Sequence, residues 1–147
     1  MRIGIIGMGW VGTSIAISLA HEGVARELLL NDVRPGLAEG EAMDLSHGAP
    51  FLPAVSVRAA ELSEMHATDA VVIAAGRNGK PGESRLDLLR DNAAVARALG
   101  ASFKGYRGLL IMVSNPVDVL THVLTEASGL PPERVLGTCT LLDTARM

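Results

Sequence analysis

Three observations predict an α/β fold with a doubly wound parallel sheet. Apolar runs of strand length alternate with stretches of helical periodicity, in the order βαβ–βαβ. Two of these runs, Asp69 to Ala75 and Leu109 to Val113, are nearly continuous in apolar residues, as expected of parallel strands covered on both faces. The first run, Ile3 to Ile6, leads directly into Gly7-Met8-Gly9-Trp10-Val11-Gly12 and then into an apolar-periodic stretch from Ile15. Strand, glycine-rich turn and helix in that order predict a Rossmann-type dinucleotide-binding fold.

Each glycine of the turn has a physical task. Gly7 permits the tight turn, Gly9 lets the backbone approach a pyrophosphate with no Cβ in the way, and Gly12 lets the helix pack close to the strand. The pyrophosphate would sit on the helix N-terminus. A second strand, Leu28 to Asp32, ends in a carboxylate about 20 residues further on, as such a unit requires. Asp32 can accept hydrogen bonds from the adenosine ribose hydroxyls and would repel a 2′-phosphate, which favours NAD over NADP. Arg34 is close enough to soften this preference, or else reads as a solvated charge beside it.

The remaining elements follow in order. Val11 to His21 is the first helix, ending near Gly23. Pro35 is placed to open a second helix, with Leu37, Met43 and Leu45 roughly on one face, before Gly48-Ala49-Pro50 ends it. Ala54 to Arg58 reads as a weak strand suited to a sheet edge. Gly76 to Gly82 is a polar loop after the Asp69–Ala75 strand. Ser84 can cap a long helix to about Phe103, with Leu86, Leu89, Ala93 and Ala96 at helical spacing. After the Leu109–Val113 strand, Asn115-Pro116 opens a helix to about Ser128, with Asn115 able to cap it. Val135 to Gly137 is a short strand, and another helix begins near Leu141.

At 147 residues the chain is expected to be one domain, residues 1–147, and no linker, repeat or low-complexity tract divides it. Apolar residues make up 48% and charged residues 20%, ordinary for a globular chain. A net charge of −3 and few aromatics give no reason to expect nucleic acid or an anionic membrane as partner. No apolar run reaches the ~20 residues of a membrane span. The N-terminal apolar stretch is better used as strand and helix than as a signal peptide. The lone Cys139 cannot form an internal disulfide, which fits a reducing cytoplasm.

Several stretches together carry a resemblance. Besides Gly7 to Gly12 and Asp32-Val33, they are Gly40-Glu41-Ala42-Met43-Asp44-Leu45, Lys80-Pro81-Gly82-Glu83-Ser84-Arg85-Leu86-Asp87-Leu88, Ser114-Asn115-Pro116-Val117-Asp118 and Leu142-Asp143-Thr144-Ala145-Arg146. In this order and spacing the sequence resembles the N-terminal half of the L-lactate/malate dehydrogenases, a family that includes L-2-hydroxyisocaproate dehydrogenases. The resemblance implies an NAD-dependent L-2-hydroxy acid dehydrogenase that moves a hydride between NAD(H) and a 2-oxo/2-hydroxy acid. A malate dehydrogenase is the alternative, and a naturally short, non-catalytic NAD-binding module is a further one.

The resemblance also implies roles. Cofactor contacts fall at Gly7, Met8, Gly9, Trp10, Val11, Gly12, Asp32, Ala75, Gly76, Val113, Asn115 and Thr138. Arg85 matches a loop arginine that polarises the substrate carbonyl, where hydride attack builds negative charge that a fixed guanidinium stabilises. Asn115 matches a residue that holds the reacting oxygen near the nicotinamide. Thr138 matches a hydroxyl near the nicotinamide amide, and a hydroxyl bonded to backbone is an equal reading. Asp143 and Arg146, three apart on one helix face, read either as an ion pair or as the family's pair. In the second reading Asp143 orients the catalytic histidine and Arg146 grips the substrate carboxylate with two bonds. Gly79 stands where lactate enzymes tend to carry Gln and malate enzymes Arg. A glycine there offers a second carboxylate no partner, and it leaves room for a bulkier apolar 2-hydroxy acid.

The reaction needs a proton donor, for which the family uses a histidine of suitable pKa. His21 and His47 stand at helix ends, His66 lies on the amino side of the sheet, and His122 is inside a helix. None matches the family's histidine, which is expected beyond residue 147. No metal-ligand constellation replaces it. The chain is therefore expected to bind NAD without catalysing, the C-terminal substrate domain being absent from it. A parent enzyme is expected to be cytoplasmic and a homo-oligomer, dimer or tetramer, because Met43 to His47 resembles a segment that packs between subunits.

Overall fold

Ile3, Ile5 and Ile6 make β1 (Arg2–Ile6) the inner strand of a parallel sheet. In the computed structural model, which describes residues 1–79, 82–139 and 141–145, the chain falls into two units, Met1–Ala75 and Gly76–Met147. In the first unit β1 lies between β2 (Glu27–Asn31) and β4 (Ala70–Ile73), and β3 (Ser56–Ala59) pairs with the far side of β2. All three pairings are parallel; Ile5 faces Leu30 on one side and Val72 on the other. Ile5, Leu28, Leu29, Leu30, Val71 and Ile73 are completely buried, as the apolar runs predict. The weak run expected at an edge is β3, at the end of this unit's strand order.

Two helices belong to this unit. α1 (Trp10–Glu22) buries Gly12, Ala16 and Ala20, four apart, and ends at Gly23 in the left-handed conformation. Residues with so little side chain let a helix lie close to a sheet. α2 (Pro35–His47) corrects the expected face: Met43 is exposed, and Ala38 and Ala42 are the buried positions. This helix packs against β3 and β2, and alanines four apart allow that approach where a methionine would hold the helix off.

In the second unit β5 (Leu109–Met112) pairs in parallel with β6 (Val135–Gly137), Met112 facing Gly137. α3 (Arg85–Ser102) packs against α4 (Val117–Ser128). Ser84 caps α3 as expected, its Oγ accepting from the Asp87 N–H at 3.1 Å. The buried stripe of α3 runs through Asn92, Ala96 and Gly100, and Leu86, expected on the inner face, is exposed. A second correction concerns α4. Pro116, not Asn115, is its N-cap, and no side chain caps it. Pro116 has φ −77° and an extended ψ of 116°, so helical dihedrals start one residue later. A short helix, α5 (Leu141–Ala145), stands where one was expected.

Candidate functional site

The glycine turn is built by contacts that only glycine tolerates at two positions. Gly7 has φ +95°, and a Cβ there would fall 2.5 Å from the Ala75 backbone nitrogen. A Cβ on Gly12 would fall 1.9 Å from the Gly7 carbonyl oxygen. The strand exit, the turn and the first turn of α1 are therefore in backbone contact, and Ala75 belongs to the same cluster. Gly9 differs: a Cβ there would meet nothing within 4 Å. Its space is open, as a backbone that must be approached by a phosphate requires.

The electrostatics suit an anion. Gly9 is the N-cap of α1, no side chain caps that end, and its first turn carries no acidic residue. The end of a helix of 13 residues thus presents backbone N–H groups and the positive end of its dipole. Met8 is buried, whereas Trp10 and Val11 are exposed beside the turn. Replacing Gly9 with alanine is expected to leave stability within about 0.5 kcal/mol, because nothing is displaced. The same change should weaken NADH binding, and a fluorescence titration beside a urea melt separates the two effects.

Asp32 is tied to the same turn. Its Oδ2 accepts from the Met8 N–H at 2.8 Å, and its Oδ1 accepts from the Arg34 N–H at 2.9 Å and from Arg34 Nε at 3.1 Å. Only 7% of the Asp32 side chain is exposed. Burial pushes its carboxyl pKa up, but the bonds from the Arg34 N–H, the Met8 N–H and the Arg34 guanidinium together outweigh burial and hold it below the ordinary aspartate value. Arg34 is thus ion-paired rather than merely solvated. Beyond Asp32 lies a hollow of about 230 Å³ whose lining includes Asp32, Glu39, Glu61 and Glu64 and no basic side chain. That lining is compatible with ribose hydroxyls, while Arg34 on Asp32 and Arg58 on Glu64 offset part of its negative charge.

The second unit holds the other positions. Gly76 and Gly79 lie on the loop before α3, and Val113 and Asn115 follow β5. Thr138 follows β6; its N–H donates to the Met112 carbonyl at 3.1 Å and its hydroxyl to the same oxygen at 3.5 Å. At Gly79 a Cβ would stand 3.5 Å from Leu88 Cδ2 and 4.0 Å from Glu83 Oε2, ordinary contacts that leave room for a side chain. Arg85 is the first residue of α3 and Asp143 lies in α5; their side chains, like the whole of Arg146, lie outside what the structure describes.

Two residues of this unit escaped the sequence reading. Asn92 is 4% exposed; its Oδ1 accepts from the Arg77 N–H at 2.9 Å, and its Nδ2 donates to the Arg77 carbonyl at 3.4 Å and the Asn115 carbonyl at 3.5 Å. It thereby joins the start of the loop before α3 to the loop after β5. A polar residue on a stripe with Ala96 and Gly100 was the available signal. The other is Arg77, which binds Glu83 with both terminal nitrogens and Asp91 with Nε. Glu83, and then Asp91, raise the guanidinium pKa further above its already high value.

Of the histidines, His21 and His47 end α1 and α2, His66 lies in the turn Leu62–Ala67, and His122 on α4 stands 3.4 Å from Glu126. Among the described residues no group of three potential metal ligands comes together, and no helix is long and apolar enough to cross a membrane.

Comparison with known proteins agrees with this geometry. A family model described as the lactate/malate dehydrogenase NAD binding domain matches residues 1–137. An L-lactate dehydrogenase of Kosmotoga olearia is 49% identical over 150 residues, covering 100% of this chain and 46% of the relative. L-lactate dehydrogenase 2 of Enterococcus faecalis is 47% identical, covering 99% of this chain and 47% of the relative. The crystal structure of a minor L-lactate dehydrogenase from Enterococcus mundtii, in a ligands-bound form, matches with a TM-score of 0.92 and 44% identity over 97% of this chain and 46% of that one. The apo malate dehydrogenase of Picrophilus torridus matches with a TM-score of 0.87 and 34% identity over 92% of this chain and 45% of that one. The expected α/β, doubly wound, Rossmann-type fold class is borne out by these neighbours. The chain spans a little under half the length of the relatives it matches.

Proposed function

Because the chain belongs to the lactate/malate dehydrogenase family, we propose that residues 1–147 are the dinucleotide-binding half of an NAD-dependent L-2-hydroxy acid dehydrogenase of L-lactate type. The observation that carries the reading is the turn Gly7–Gly12 fastened to Asp32 through the Met8 N–H, in front of an uncapped helix N-terminus. NAD is the cofactor of this family's domain; when bound it supplies or accepts the hydride. Gly7, Met8, Gly9, Trp10, Val11 and Gly12 would take its pyrophosphate, and Asp32 its adenosine ribose. An ionised carboxylate has roughly four lone-pair positions, of which three accept bonds within the chain. The ribose hydroxyls would take the remaining one and compete with Arg34. Ala75, Gly76, Val113, Asn115 and Thr138 would line the rest of the cofactor path.

In this reading Arg85 polarises the 2-oxo acid carbonyl and stabilises the charge that builds on its oxygen. Asn115 holds that oxygen, and Arg146 grips the substrate carboxylate. Asp143 orients a histidine supplied by the part of such an enzyme that this chain does not span. Gly79 offers no cation to a second carboxylate, which favours monocarboxylic, bulkier apolar 2-oxo acids over oxaloacetate. Cytoplasmic residence and a homo-oligomer, dimer or tetramer, belong to the same proposal.

The 147-residue chain is expected to bind NADH in a fluorescence titration and to reduce no 2-oxo acid. The full-length protein should reduce a panel of 2-oxo acids, with monocarboxylates ahead of oxaloacetate. Fastest turnover of oxaloacetate would replace the lactate-type reading with a malate-type one. A natural product of only about the 15.3 kDa of this chain on an immunoblot of its source cell would favour a non-catalytic NAD-binding module.

A further inference from the structure

Arg77 and Glu83 stand at the two ends of the short segment that precedes α3. The Arg77 Nη1–H donates to Glu83 Oε2 at 2.7 Å, and Nη2 donates to Glu83 Oε1. This is a two-pronged fork, the strongest geometry a guanidinium makes with a carboxylate. The pair is partly shielded, with side chains 32% and 17% exposed, so it differs from the solvated pairs that contribute little. The remaining guanidinium edge is also used, Nε donating to Asp91 Oδ2 at 2.6 Å. Asp91 lies about two turns into α3, beyond Ser84 and Arg85 at its start. The Arg77 main chain is held as well, through the Asn92 amide on the same helix.

We propose that Arg77 is a positioning residue, a latch that joins Glu83, just ahead of α3, to Asp91 on that helix, thereby fixing where Ser84 and Arg85 begin it. The inference rests on the role given to Arg85 above and adds the residue that sets its place. One guanidinium joins residues six and 14 positions along the chain. Without it the tie from Arg77 to Glu83 is lost, and α3 loses a brace beside its N-cap. The latch also neutralises Glu83, a carboxylate that would otherwise stand two residues from the arginine meant to meet an anionic substrate.

Amide hydrogen exchange on the 147-residue chain reads the latch. The Asp87 and Leu88 N–H groups bond Ser84 Oγ and the Ser84 carbonyl at 3.1 and 3.3 Å, so they report the first turn of α3. Arg77→Met is expected to speed their exchange about tenfold, the effect of losing a charge-assisted tie, with the β5 amides unchanged. Arg77→Lys keeps the charge without the fork and should recover part of the protection. Equal rates in wild type and Arg77→Met would overturn the latch. Should Arg77→Met fail to fold, Glu83→Gln is read in the same way.

In the full-length protein, Arg77→Met should lower kcat/KM for the 2-oxo acid by about tenfold, as misplacing a substrate-orienting group does, with KM for NADH unchanged. An unaltered kcat/KM would overturn the positioning role. A wild-type full-length protein that reduces no 2-oxo acid would overturn the functional reading and Arg85's part in it. The exchange rates would still decide the latch.

Discussion

Gly12→Ala is expected to cost about 3 kcal/mol of folding stability, the upper part of the usual range for overpacking, and to abolish NADH binding. The added Cβ would lie 1.9 Å from the Gly7 carbonyl oxygen and 3.0 Å from its carbon. Both are backbone atoms of the turn, so no flexible side chain can swing aside. Either α1 moves off the turn, or the turn abandons the conformation in which Gly7 sits at φ +95°. Both outcomes pull the helix N-terminus away from the place where a pyrophosphate would meet it. Urea denaturation measures the first effect and an NADH titration the second. A melt within about 0.5 kcal/mol of wild type, the scale of an innocuous surface change, would show that α1 does not press on the turn. The contrast with Gly9→Ala sharpens the test: two glycines three apart, one filled with backbone and one open, should separate folding from binding.

Asp32→Asn is expected to destabilise the chain by about 2 kcal/mol, since a largely buried carboxylate accepting three hydrogen bonds becomes a neutral amide that turns a donor toward one of them. The pH dependence carries the signature. The folded pKa of Asp32 lies below its unfolded value. Its stabilisation is therefore complete above the unfolded value and is lost as pH falls through the folded one. Wild type and Asp32→Asn should differ most near neutral pH and converge below the ordinary aspartate range. Curves that stay parallel down to acid pH would contradict this. The same variant removes a negative charge beside the place assigned to the ribose. The affinity for NADPH relative to NADH should then rise about tenfold, or about 1.4 kcal/mol, close to the repulsion of one charge pair screened by water. An unchanged ratio would detach Asp32 from nucleotide choice.

The legible part of this protein is local in the chain. The turn Gly7–Gly12, its strand and its helix lie within 22 residues, and each glycine's steric task follows from spacing alone. Ser84 announces the start of α3 because capping joins residues three apart. The runs that became β4 and β5 could be read because a parallel strand needs apolar residues on both faces. The family resemblance was equally legible, since its motifs are short segments read in order.

Tertiary structure decided what depends on which neighbour an element meets. Met43 and Leu86 are apolar and helical, yet both are exposed. α2 turns Ala38 and Ala42 inward because it packs against β2 and β3, and α3 turns Gly100 inward because it packs against α4, where Leu124, Ala127 and Ser128 crowd it. Periodicity marks an apolar face, but close packing selects the face whose side chains are small enough for the approach. The same holds for polar groups. Asn92 is a core residue because the backbone at Arg77 and Asn115, 15 and 23 positions away, needs its amide. Arg77 looks like any loop cation until Glu83 and Asp91 are placed around it. Strand, glycine turn and the Ser84 cap were set by the sequence by itself, through steric and hydrogen-bonding rules acting over a few residues. Which faces are buried and which charges are joined was decided only when distant segments came together, because those energies depend on distance in space.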